Sequence, residues 1–302
     1  MEWTPDNSNQ DIEDRRDSSG GGYGGGPGLG GFGFGHLGIG GILIVGLLSL
    51  VFHQNFFALL SGGGGSSVGV DQSQSQSQMQ PVPNTQQDQA ETRDRGLIGT
   101  VFHSIQDNWS TILPAQMNTP YRHATLVLFR GATNSGCGEA QDATGPFYCP
   151  EDEKVYLDLG FFDELKTRFG GSNGDFAQSY VVAHEVGHHV QKLLGTEAKV
   201  TAAQDRNPSQ KNALSVAMEL QADCYAGVWG NSAKEKFKLT PADIQDALSA
   251  AAAVGDDHLQ KMATGRVSPE TFTHGTSAQR EAWFTKGYST GQVSACNTFG
   301  GQ

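Results

Sequence analysis

His184-Glu185-Val186-Gly187-His188 is the stretch on which the reading of this chain turns. An α-helix rotates about 100° per residue, so side chains four apart stack on one face. His184 and His188 can therefore aim imidazole nitrogens at a single metal ion, with the Glu185 carboxylate beside them to hold a water. The flanks support a helix. Asp175 is an N-cap candidate, the run 176–194 holds no Pro and only one Gly, and Gly195 stands where helices commonly stop. Phe176, Tyr180, Ala183, Val190 and Leu194 recur at helical spacings and give an apolar face. Gly187, between the two ligand candidates, leaves room for another backbone or a substrate.

Catalytic zinc keeps three protein ligands and one water, so a third ligand must follow. Glu219-Leu220-Gln221-Ala222-Asp223 offers a second i, i+4 pair, on a stretch read as helical from about 209 to 229 and closed by Gly230. One carboxylate can bind the metal while the other accepts a hydrogen bond from the free ring nitrogen of a ligand His. Glu219 is the metal candidate and Asp223 the orienting one. The apolar neighbours Val216, Met218, Leu220, Tyr225 and Trp229 mark this helix as largely buried, where a carboxylate without a partner is costly. His189 points about 100° away from His188 and is not expected at the same metal.

Four segments, Ala183–Gln191 (AHEVGHHVQ), Met218–Trp229 (MELQADCYAGVW), Gly145–Phe162 (GPFYCPEDEKVYLDLGFF) and Thr273–Arg280 (THGTSAQR), together resemble the bacterial neutral zinc metallopeptidase family. The likeness covers nearly the whole chain and is most specific over residues 96–300. It implies one Zn²⁺ per chain and hydrolysis of a protein or peptide substrate, with Glu185 as general base. It also implies an α+β, zincin-like domain in which the two motif helices face a small mixed sheet, behind a membrane anchor. The Thr-His…Arg element adds His274, a candidate donor to the oxyanion of the reaction, and Arg280, a candidate partner for a carboxylate. Thr276 or Ser277 is placed to cap the helix that follows. Two other readings remain open: a zinc-stabilised membrane assembly or chaperone factor without turnover, and a zinc amidase acting on cell-wall peptides.

The first third of the chain differs in composition. Of 41 glycines, 20 fall within the first 70 residues. Residues 1–35 are acidic and then Gly-rich, with nothing to build a core from, and read as a disordered leader. Residues 36–58 carry the uncharged apolar run Leu37–Phe52, about 20 residues once extended, close to the ~30 Å of a bilayer core. This reads as a single-pass transmembrane helix. Residues 59–95, rich in Gly, Ser and Gln, read as a linker, and 96–302 as one metallopeptidase domain. Arg15 and Arg16 precede the apolar run and no cation follows it until Arg93, which favours a cytoplasmic N-terminus. The expected location is the bacterial inner membrane, with the catalytic domain outside the cytoplasm. Four cysteines, none in a zinc spacing, agree: Cys137 with Cys149 and Cys224 with Cys296 are disulfide candidates. A net charge of −12 argues against a nucleic-acid partner.

Within the domain, Ile98, Val101, Ile105, Trp109 and Ile112 predict a first amphipathic helix ending near Pro114. ATLVLF (124–129) and KVYLDL (154–159) predict strands, the second expected at the sheet edge that an extended substrate would join. Tyr156 and Asp158 on it are read as cleft or ordinary strand residues. Thr240-Pro241 opens a further helix as cap and first residue.

Overall fold

The computed structural model describes residues 1–6, 8–16, 85–141 and 145–300. The stretch read as an anchor, 36–58, and the linker as far as residue 84 lie outside them. Among the described residues, no helix is long and apolar enough to cross a membrane.

The domain is α+β. Strand β1 (Ile12–Asp14) precedes helix α1 (Thr85–Met117), followed by β2 (Thr125–Phe129), β3 (Ala132–Ser135), β4 (Gly138–Gln141), β5 (Phe147–Cys149) and β6 (Lys154–Asp158). Helices α2 (Phe161–Thr167), α3 (Asp175–Leu193), α4 (Thr196–Arg206), α5 (Lys211–Ala233), α6 (Pro241–Ala253), α7 (Asp256–Thr264) and α8 (Ser277–Thr290) complete the α-helices among the described residues. The main sheet runs β1-β2-β6-β5, with β5 antiparallel to β6 and the other pairs parallel. Its strands alternate little, because the apolar residues Leu126, Val127, Leu128, Val155, Tyr156 and Leu157 are all buried. Strand β6 is therefore internal, not an edge as its sequence suggested; β5 holds that edge. Tyr156 is an ordinary core residue, stacked on Phe147 and donating its hydroxyl to Asp152. Asp158 accepts from the backbone N–H groups of Gly131 and Gly160, which shapes the turns on either side.

The first sixteen residues correct the reading of 1–35 as a leader without a core. Ile12 is buried, and β1 pairs in register with β2 through Ile12–Leu126, Glu13–Val127 and Asp14–Leu128. The Trp3 indole donates to Asp175 at the start of α3, and Arg95 of α1 donates to the carbonyls of Asp6 and Ser8. Compositional reasoning missed this because the contacts are long-range and mostly polar. Gly99 is the local trace of the docking. A Cβ there would stand 2.3 Å from the Asp6 carbonyl oxygen, so a glycine inside α1 is what lets the N-terminal segment lie against it. Gly99→Ala gains roughly 1 kcal/mol of helix propensity but forces the backbones apart, an overpacking cost of about 1–3 kcal/mol. The expected outcome is a lower melting temperature, with faster proteolysis within residues 1–16.

Helix α1 runs past Pro114 to Met117. Helix α5 likewise runs through Gly230 to Ala233. Gly230 is not a stop because its bare Cα faces the rings of Tyr288 and Phe176. One turn earlier, a Cβ on Gly227 would lie 2.1 Å from the Phe284 oxygen, and one on Gly287 of α8 would lie 1.9 Å from the Cys224 oxygen. Helices α5 and α8 thus touch backbone to backbone. Thr240 caps α6 in a reciprocal box with Asp243, and Thr276 caps α8 in the same way with Gln279. Both cysteine pairs are bonded. Cys137–Cys149 ties the β3–β4 turn to the edge strand, and Cys224–Cys296 ties α5 to the C-terminal segment. On the chain-entropy account these bridges stabilise by roughly 3 and 4 kcal/mol.

Candidate metal centre

Helix α3 begins one residue earlier than the sequence suggested: Gly174, not Asp175, is the cap, and Asp175 is the first helical residue. The helix holds His184 and Glu185 buried and His188, one turn on, half-buried. Helix α5 crosses it at Gly187, where a Cβ would meet the Ala222 backbone at 3.0 to 3.1 Å. That close approach is what delivers Glu219 to the histidines. Its carboxylate lies 3.2 Å from His184 Nε2 and 3.6 Å from His188 Nε2. One ligand atom from each of the three residues falls within 4.8 Å of the others. Zinc bonds of ~2.1 Å in a tetrahedron place neighbouring ligand atoms about 3.4 Å apart, so this donor set fits a zinc ion in both chemistry and spacing.

The surrounding hydrogen bonds fix the imidazoles. A carboxylate only accepts, so the 2.8 Å contact from His184 Nδ1 to Asp223 means that Nδ1 carries a proton, which leaves Nε2, on the Glu219 side, as the atom for a metal. Asp223, fully buried, also accepts two bonds from Arg280, each 2.9 Å, and one from the Tyr180 hydroxyl. Burial alone would raise its pKa, but the Arg280 and His184 charges hold it down to about 2. Burial opposes a charge on His184, yet Asp223 and Glu219 raise its pKa to about 10. The same negative field favours a metal cation beside Nε2.

Glu185 differs from these neighbours. Among the described residues it has no hydrogen-bond partner, and burial raises its pKa. A carboxylate left unengaged beside two histidines that could hold a metal, and made more basic, is suited to taking a proton from a water.

His274 sits in the loop before α8, which packs on α5 through Gly275 (φ 89°) against Leu220 and Val216. Its Nδ1 donates to Asp256 at 3.2 Å, leaving Nε2 for other work. Burial disfavours its charged form, but the Asp256 hydrogen bond and the Glu219 charge raise its pKa.

Sequence reasoning missed three residues here. Asp256, the first residue of α7, accepts from the backbone N–H groups of Thr273, His274 and Gly275, at 2.7, 2.6 and 3.0 Å, and so builds the His274 loop. Tyr180, one turn before His184, was taken only as an apolar-face residue. Gln191, one turn after His188, accepts from His188 Nδ1 at 2.8 Å and donates to the Met218 carbonyl. The i, i+3 spacing of His188 and Gln191 was a usable signal; Asp256 had none. His189 is turned toward the sheet, accepting from Tyr148 and donating to the Arg122 carbonyl. Gln191→Leu removes the acceptor that sets the His188 tautomer and is expected to weaken zinc binding about 10- to 100-fold. Competition against a chromogenic chelator measures it.

Comparison with known proteins agrees with this geometry. Residues 1–299 match the family described as "Putative neutral zinc metallopeptidase". The chain is 44% identical over 301 residues to "Uncharacterized protein YpfJ" of Escherichia coli strain K12, covering 99% of both chains. It is 47% identical over 207 residues to "Uncharacterized protein Rv2575" of Mycobacterium tuberculosis, covering 65% of this chain and 68% of the relative. No solved structure matches. A match this long, over a chain whose His184, His188 and Glu219 converge on one point, assigns it: this protein belongs to the neutral zinc metallopeptidase family.

Proposed function

We propose that the protein is a zinc-dependent endopeptidase, built on a zincin-like pairing of α3 and α5, and that it works outside the cytoplasm. The observation that carries the reading is the unengaged, buried Glu185 carboxylate beside a His184, His188, Glu219 donor set of zinc spacing. A purely structural zinc site would close the ion with a fourth protein ligand; among the described residues this cluster offers three. When bound, zinc supplies a Lewis acid that acidifies a water and polarises a carbonyl. His184, His188 and Glu219 would hold it. Glu185 takes the proton of the attacking water and passes it to the leaving amine. His274 Nε2 donates to the oxygen that gains charge, in a site that burial keeps poor in water. Asp223, Arg280 and Tyr180 keep His184 in its working tautomer. Two disulfides that use all four cysteines support an oxidising compartment.

The test combines metal content with turnover. Full-length protein should carry close to one zinc per chain by elemental analysis and cleave an unstructured protein substrate, activity that a chelator removes. Glu219→Ala should lose most of the zinc, and its melting temperature should fall toward that of the chelated wild type. Zinc retained in full by Glu219→Ala would remove Glu219 from the ligand set. Cleavage of purified peptidoglycan fragments but not of protein would replace peptidase with cell-wall amidase.

A further inference from the structure

Residues 1–16 and 85–300 form one folded body, and a folded body occupies one side of a bilayer. The interlock is extensive. Strand β1 is hydrogen-bonded into the sheet beside β2, Lys154 of β6 pairs with Glu13, and the Met1 ammonium pairs with Asp243 of α6. The Glu2 N–H donates to the Phe237 carbonyl at 2.8 Å, and the Asp6 N–H donates to Thr100 at 3.0 Å. Arg93 stacks over the Trp3 ring at 5.4 Å. Gly99 leaves room for the Asp6 backbone, so the sequence of α1 is itself adapted to the docked segment.

The apolar run lies between these two parts in sequence. A single crossing of the bilayer there would put β1 and β2 on opposite sides, and their hydrogen bonds could not form. Two crossings would return the chain to the same side and leave that pairing intact. We infer that the described residues before the apolar run, 1–6 and 8–16, and those after it, 85–141 and 145–300, share one side of the membrane. This replaces the single-pass topology that hydropathy and the count of Arg15 and Arg16 suggested. Orientation by flanking cations presupposes a single crossing and has nothing to orient here.

All four native cysteines are bonded, so one introduced cysteine supplies the only free thiol. Ser8→Cys and Ser209→Cys are near-isosteric changes at exposed positions, one on each side of the apolar run. Each is placed in the full chain and treated with a membrane-impermeant maleimide, in sealed membrane vesicles of both orientations. The expected result is parallel behaviour: both positions react in one orientation, and both are protected in the other until detergent is added. Opposite behaviour of the two positions would overturn the inference. A second measurement needs no substitution. Zero-length carbodiimide coupling in membranes should join Glu13 to Lys154, whose charged atoms are 2.5 Å apart, within a product of single-chain mobility. Absence of that linkage, or its appearance only between chains, would overturn the shared body.

Discussion

Glu185→Gln should fold, bind zinc as the wild type does, and lose turnover by about 10²- to 10⁴-fold, the range for removing a general base. The substitution keeps size and hydrogen-bonding ability and removes basicity alone. Glu185 lies outside the ligand cluster and has no hydrogen-bond partner among the described residues, so no structural contact is lost with it. Zinc content by elemental analysis and initial rates on a protein substrate measure the two halves separately. A non-catalytic zinc scaffold gives the opposite pattern: Glu185→Gln would complement a deletion strain fully while His184→Ala would not. Wild-type turnover and full complementation by Glu185→Gln would end the peptidase reading.

The second large effect is on stability. Arg280 and Asp223 are both buried, and their two hydrogen bonds are part of a network with Tyr180 and His184. Arg280→Met leaves the Asp223 carboxylate buried without its main counter-charge, which costs about 3–5 kcal/mol. For a domain of this size that lowers the melting temperature by roughly 10 °C. Asp223→Asn added to Arg280→Met removes the stranded charge and should restore part of the loss. Calorimetry on the two single variants and the double variant gives the coupling directly. Additive losses in the double variant would show that the pair is not a unit.

What the sequence made legible follows the range of the interactions. The α3 motif, the α5 carboxylate pair and the strand cores announce themselves within a few residues, through helical spacing or continuous apolar runs. Gly187 was also readable, because a glycine between two ligand candidates asks what comes close; the answer is the Ala222 backbone. Gly230 was misread by the same local logic, since a glycine that ends a helix and one that admits a neighbouring ring look alike in one dimension. Asp256 lies 18 residues before His274, and its role depends on a loop folding back onto the end of α7. The sheet edge was misplaced because β5 is only three residues long and adds antiparallel to a parallel core. The N-terminal segment was lost to its composition: acidic, then Gly-rich, it resembles solvated chain, and only Gly99, far off in α1, records where it docks.

The crossing of α5 and α8 at Gly227 and Gly287 has a consequence for the empty state of the site. Two helices held apart by side chains can slip, since rotamers adjust. Two helices in contact through their main chains cannot move by a turn unless both glycines leave register together. Arg280 rides on one helix and Asp223 on the other, so their pairing is inherited from main-chain geometry and does not wait for an ion. Removing zinc should therefore leave the aspartate, the arginine and the imidazole it orients where they stand. Reloading then becomes a matter of ion access, with little of the slow rearrangement that a collapsed site would require.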